Sequence, residues 1–254
     1  MAATTPWVVL GNPLFAIACG AVAVHLISLA WRTRRTSELF LGLGLIFLVA
    51  GFSMFAVSGM GRTTVGEASV PLIALGSIAV SLSVFFQCAF AASTFRLGRR
   101  WAITMTFLLG FAELCISVGI VYSLLYSSRA TPEFTASYLG MFLLRLPLAV
   151  SYAWIAIDGL LQYRVALRRQ KLGMGDAALT HRFFLFFIMG TIHCTNWIVS
   201  SGLHLQGMTP FNHPLGAASL GVGSTLASLA LYLALLPPVR YLDWIKQRNL
   251  PSEA

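Results

Sequence analysis

Seven long apolar runs, separated by short polar stretches, take up almost the whole chain. A membrane-crossing helix needs roughly 20 apolar residues, and each run meets that length. The pattern predicts helices at Trp7–Trp31, Leu39–Met60, Val70–Phe95, Trp101–Tyr126, Ala136–Tyr163, Phe183–His204 and Leu215–Leu236. Pro13 falls in the first turns of the first helix, where a proline is tolerated. Gly42, Gly44 and Gly51 let the second helix approach a neighbour closely, and Ala217, Gly221, Thr225 with Gly223, Ala227 and Leu231 do the same for the seventh. Pro237-Pro238 ends the last run and turns the chain along the membrane. The fold class is therefore all-α integral membrane, one seven-helix bundle over residues 1–254. No internal repeat of the kind that builds two-halved transporters is present in the sequence.

Composition supports this reading. Of the 254 residues 57% are hydrophobic and only 10% charged, against about 25% charged in a soluble domain. Most of the chain thus has lipid or protein as its solvent. No Lys or Arg precedes Arg32, so the first run lacks the basic start of a secretory signal and is expected to be a retained helix. Cys19, Cys88, Cys115 and Cys194 all fall inside predicted helices, as free thiols filling apolar space.

The net charge of +9 could point to nucleic acid, but the basic residues sit in short clusters beside apolar runs, where lipid headgroups lie. The expected partner is the bilayer, and nucleic acid is excluded. Of the 17 Lys and Arg, 14 lie in the first, third and fifth loops and the tail, against Arg62 and Arg129 in the alternate loops and Arg145 within a helix. The positive-inside rule then puts the N-terminus outside and the C-terminus in the cytoplasm, which requires an odd number of helices. The tail from Arg240 to Arg248, with Tyr241 and Trp244, has the composition of a membrane-surface anchor.

The candidate chemistry lies in a few polar residues at membrane depth. Glu113 stands at the middle of the fourth helix, and Arg145 about 6 Å outward of the middle of the fifth. An ionisable residue at that depth marks a functional site by default; the alternative is a structural ion pair locking two neighbouring helices. His193, Trp197, Ser200 and His204 recur at helical spacing, with Asn196 and Ser201 alongside, and form one polar face of the sixth helix. Such a face must meet another helix or a water-filled cavity. His193 is level with Glu113, so depth allows a Glu113–Arg145–His193 cluster. Ser77, Ser81, Ser83 and Gln87 give the third helix its polar positions. Asp158, about 140° away from Arg145 around the same helix, is expected in the solvated cytoplasmic rim.

Cofactor chemistry finds little support. His25 and His193 differ in depth by about 9 Å, which suits the two axial ligands of one haem poorly. His193 and Cys194 diverge by about 100°, and no Glu-x-x-His spacing occurs, so no metal site is expected. A covalent retinal is excluded because the seventh helix carries no lysine. No catalytic residue is assigned.

The segment Leu172-Gly-Met-Gly-Asp-Ala-Ala-Leu-Thr-His-Arg-Phe-Phe-Leu-Phe, together with Leu236-Pro-Pro-Val-Arg-Tyr-Leu-Asp-Trp, resembles uncharacterised bacterial seven-helix membrane proteins. These bundles are similar in turn to the membrane sensor modules that precede bacterial signalling domains. The resemblance implies a receptor-like sensor of the bacterial inner membrane, binding a small or lipidic ligand within the bundle. In those modules the basic tail leads into an output domain, whereas here the chain stops at Ala254, so a separate cytoplasmic signalling protein is the expected partner. The ligand residues would be Glu113, Arg145, His193, Asn196, Trp197, Ser200 and Gln87. A histidine-using membrane enzyme or electron-transfer protein is one rival, and a small transporter subunit or scaffold another.

Overall fold

The computed structural model describes residues 6–57, 70–127, 135–206, 208 and 213–248. All elements among them are helical: α1 (Pro6–Thr33), α2 (Thr36–Val57), α3 (Val70–Phe95), α4 (Arg100–Ser127), α5 (Thr135–Lys171) and α6 (Ala177–Leu205). A last membrane rod joins α7 (Pro214–Ala218), a π turn (Ser219–Gly223) and α8 (Ser224–Leu235), and α9 (Val239–Arg248) follows. Arg62 and Arg129, which entered the charge argument, lie outside the described residues, as do the side chains of Arg145 and His204.

Six of these rods, α1 to α4, α6 and α7–α8, are long and apolar enough to cross a membrane. The chain is a multi-pass membrane protein. Large apolar side chains face outward, among them Ile17, Val24 and Trp31 on α1 and Phe107, Phe111 and Val118 on α4. Water would disfavour that surface, whereas lipid tails solvate it.

Neighbours in sequence are mostly neighbours in space. The order α1–α2–α3–α4–α5–α6–α8 closes on itself because α8 packs against α1, and α3 also reaches across to α5. In lipid there is no hydrophobic drive between helices, so close packing must hold them. Glycines permit it. A Cβ on Gly51 would stand 2.9 Å from the Gly76 carbonyl oxygen, bringing α2 and α3 backbone to backbone. At the α5–α6 crossing a Cβ on Gly190 would stand 2.8 Å from both the Tyr152 carbonyl oxygen and the Ala156 nitrogen.

Two expected boundaries are corrected. The fifth helix continues to Lys171 and the sixth begins at Ala177, six residues before Phe183. The turn between them explains both shifts. The Gly173 and Met174 amides donate to the carbonyls of Gln170 (3.0 Å) and Arg169 (2.9 Å), and Gly173 takes the left-handed φ of 72° that glycine tolerates. The Asp176 carboxylate then accepts from the Ala178 amide at 2.8 Å, capping α6.

Candidate functional site

The described polar side chains at membrane depth fall into separate centres along the bundle. The first lies between α3 and α4. Ala102, Thr106, Gly110, Glu113 and Ser117 are the buried positions among the described side chains of α4, spaced so that they form one stripe. Gly110 sits against the Phe85 ring of α3, where a Cβ would come within 2.9 Å of Cδ2. The Ser81 and Ser117 hydroxyls are 2.8 Å apart, and each lies within bonding distance of the Ser77 carbonyl, at 3.0 and 3.2 Å. With one proton apiece, one hydroxyl donates to that carbonyl and the other to its partner hydroxyl, and the network ties the two helices.

Glu113, one turn from Ser117, has 0% exposure, and neither carboxyl oxygen has a hydrogen-bond partner among the described residues. It therefore makes no bond to His193. A polar group stranded in an apolar interior costs on the order of 2–7 kcal/mol, and an ionised one more. Buried carboxyls without partners are rare for that reason.

The second centre brings α1, α3, α5 and α6 together. The His193 ring stacks on Tyr152 with centroids 4.5 Å apart, and both side chains are buried. The Tyr152 phenol is hydrogen-bonded to Gln87, and Cys19 of α1 is nearby. Gln87 donates from Nε2 to Ser83 Oγ at 2.8 Å, while its Oε1 has no partner among the described residues. Tyr152 therefore stands beside His193, where depth also allowed Glu113 and Arg145; the Arg145 side chain lies outside the described residues. Tyrosine on α5 went unnoticed in the sequence because it reads there as an ordinary amphipathic residue.

The third centre sits where the last rod departs from α-geometry. The π turn packs against α6 and α1. The Ser219 hydroxyl donates to Asn196 Oδ1 at 2.8 Å, and a Cβ on Gly223 would come within 2.5 Å of that same oxygen. Asn196 Nδ2 has no partner among the described residues. Trp197 is half-buried and stacks on Phe52 of α2 at 5.4 Å. Ser200 is buried at 1% exposure. The polar face of α6 is thus turned to different neighbours: His193 to α5, Trp197 to α2 and Asn196 to the π turn.

A fourth centre corrects the reading of Asp158 as a solvated rim residue. It is only 2% exposed. Arg96, just past the end of α3, donates from Nε to its two oxygens at 3.0 and 3.1 Å and from an Nη to Oδ1 at 2.5 Å. Trp154, one turn earlier on α5, donates from Nε1 at 2.8 Å. The Arg96 guanidinium also lies 5.5 Å over the Trp101 ring, and Trp101 packs on Trp154 at 5.6 Å. The hydrogen bonds to Asp158 raise the Arg96 pKa, against a smaller opposing effect of burial. One ion pair and two indoles therefore clamp α3, α4 and α5 together. The Trp154–Asp158 spacing, i to i+4, was a usable signal on α5 alone.

Other polar groups do not converge. His25 is exposed on the outward face of α1, away from His193 in the interior. Among the described residues no group of three or more His, Cys, Asp and Glu could hold a metal ion. All four cysteines are free thiols.

No protein-family model matches the chain, and no curated protein and no solved structure is detectably similar to it.

Proposed function

We propose that the chain is a receptor-like sensor of the bacterial inner membrane that binds a small or lipidic ligand inside a bundle of seven spans, with its N-terminus outside and its C-terminus cytoplasmic. Six spans stand on length and apolarity. The seventh is α5, which lies between α4 and α6 in the closed ring and has 37 residues, ample to cross. The 14-to-2 distribution of basic residues between alternate loops supports the orientation.

The observation that carries the ligand reading is Glu113. Its carboxyl is fully buried with both oxygens unpartnered among the described residues, and Gln87 on α3 has a buried acceptor in the same state. A buried carboxyl without a donor among the described residues fits a guest that brings N–H or O–H groups, such as an amine or a hydroxylated lipid headgroup, and Gln87 in the second centre offers a further buried acceptor of the same kind. Signalling would pass to a separate cytoplasmic protein.

The test is native mass spectrometry of the protein released from mild detergent. A stoichiometric small-molecule adduct on the wild type, absent from Glu113→Gln, is the expected result. A wild type without adduct, or an adduct that Glu113→Gln and Gln87→Leu both retain, refutes the site.

A further inference from the structure

The end of the bundle formed by α6, α8 and α9 carries a surface that the intramembrane centres do not use. The α8 helix stops at Leu235, and α9 starts at Val239 after only three intervening residues, its Tyr241 and Leu242 amides bonded to the Pro238 carbonyl at 3.0 and 3.2 Å. The Pro237-Pro238 turn folds α9 back against α6. There Ile245 is 4% exposed, seated in a cleft walled by Ala178, Leu185 and Leu233. At the rim His181 Nε2 lies 2.5 Å from the Tyr241 hydroxyl. Partial burial raises the Tyr241 pKa, so the phenol stays protonated.

Arg182 also lines this cleft, and Arg240 stands next to Tyr241. Both are exposed. The ion pairs among the described residues are Arg35–Glu38 and Arg96–Asp158, so neither of these two guanidinium groups has a carboxylate. Beside them, Leu179, Val239 and Trp244 expose 46%, 73% and 49% of their surface. The spans Ala177–Leu203 and Pro214–Leu235 each have one end at this cleft, so it lies where hydrocarbon gives way to headgroups.

We propose that this cleft is a recognition site for an anionic phospholipid, whose phosphate bridges Arg182 and Arg240 and whose occupancy holds α9 against α6. Three observations select this occupant. The fork of a guanidinium matches phosphate oxygens in pairs. The exposed Leu179, Val239 and Trp244 call for an apolar cover that a free phosphate lacks. The depth is that of a headgroup, and anionic lipids attract juxtamembrane basic residues there. The site rests on the membrane reading alone and is independent of any ligand at Glu113.

The experiment reconstitutes the full chain into vesicles of pure phosphatidylcholine or of phosphatidylcholine with one-third phosphatidylglycerol, and follows amide hydrogen exchange in residues 239–248. With two arginines engaged, exchange in α9 is expected to be roughly tenfold or more slower in the anionic vesicles. The double variant Arg182→Gln/Arg240→Gln, and Arg182→Gln alone to a lesser degree, should lose that difference. Arg168→Gln/Arg169→Gln, which removes equal charge from the exposed end of α5, should keep it. Unchanged exchange in α3 and α4 reports that each variant is folded. Equal protection in both vesicles overturns the assignment and leaves the cleft to a protein partner. An equal loss in the α5 variant overturns it in favour of diffuse surface charge. Protection restored in pure phosphatidylcholine by inorganic phosphate overturns it in favour of a free anion.

Discussion

Breaking the Arg96–Asp158 pair should give an asymmetric result, and the asymmetry follows from burial. Asp158 is 2% exposed, whereas the Arg96 side chain retains 34% of its exposure. Arg96→Gln strands a buried carboxylate with only the Trp154 indole as donor. Removing one partner of a buried pair costs about 3–5 kcal/mol. Because Arg96 is partly solvated, the pair is screened, and the cost falls to ~2–3 kcal/mol. Asp158→Leu leaves a guanidinium that can swing toward water and headgroups. The loss is then the unmet Trp154 N–H and the lost bonds, ~1–2 kcal/mol. The double variant Arg96→Gln/Asp158→Leu should cost less than the sum of the two, with a coupling of ~1–2 kcal/mol. Reversible unfolding of the purified protein in mixed micelles with rising dodecyl sulfate measures this, followed by tryptophan emission, to which Trp101 and Trp154 of the clamp contribute two of the six tryptophans. Equal single costs that add without coupling would refute the clamp.

Glu113→Leu should stabilise the unliganded protein by ~1–2 kcal/mol in the same assay, since it replaces an unpartnered buried polar group with an apolar one of similar size; a loss of stability would mean that Glu113 has a structural partner. Gly190→Ala should destabilise by ~1–3 kcal/mol because its Cβ meets α5 backbone atoms at 2.8 Å, while Gly20→Ala, with nothing within 4 Å, should be neutral or gain up to about 1 kcal/mol of helix propensity. Ser81→Ala should cost ~1 kcal/mol, and adding Ser117→Ala should cost little more because the two share one network. A reporter enzyme fused after Ala254 should be active only if it folds in the cytoplasm; a fusion active in the periplasm refutes the orientation.

The helices were legible because apolar runs of this length leave no other structure in lipid. The roles of Gly42 and Gly51 were legible too, since small residues at membrane depth have few uses besides close approach. The continuation of α5 through Arg164 to Lys171 was not legible from apolarity, because a helix can outlast its apolar stretch once it reaches headgroups and water. Pairings between helices were harder. Arg96 and Asp158 are 62 residues apart, and the phase of Asp158 on its own helix says nothing about what lies opposite. Depth put Glu113 and His193 on one level, but level fixes only one of the three coordinates of a contact. His193 turns to Tyr152 instead. The π turn left no readable mark beyond glycines at 221 and 223, which served equally well as packing residues.

The length of α5 has a mechanical consequence. Its 37 residues make a rod about 55 Å long, well beyond the roughly 30 Å of a hydrocarbon slab. Pro147, within the helix, is the place where a proline weakens the backbone ladder and lets a helix bend. From there to Lys171 the rod runs about 36 Å. A bend of about 10° at that point would sweep the basic tip sideways by ~6 Å. The close α5–α6 contact at Gly190 would draw α6 along with it, and the Arg96–Asp158 pair would carry the same displacement to the end of α3.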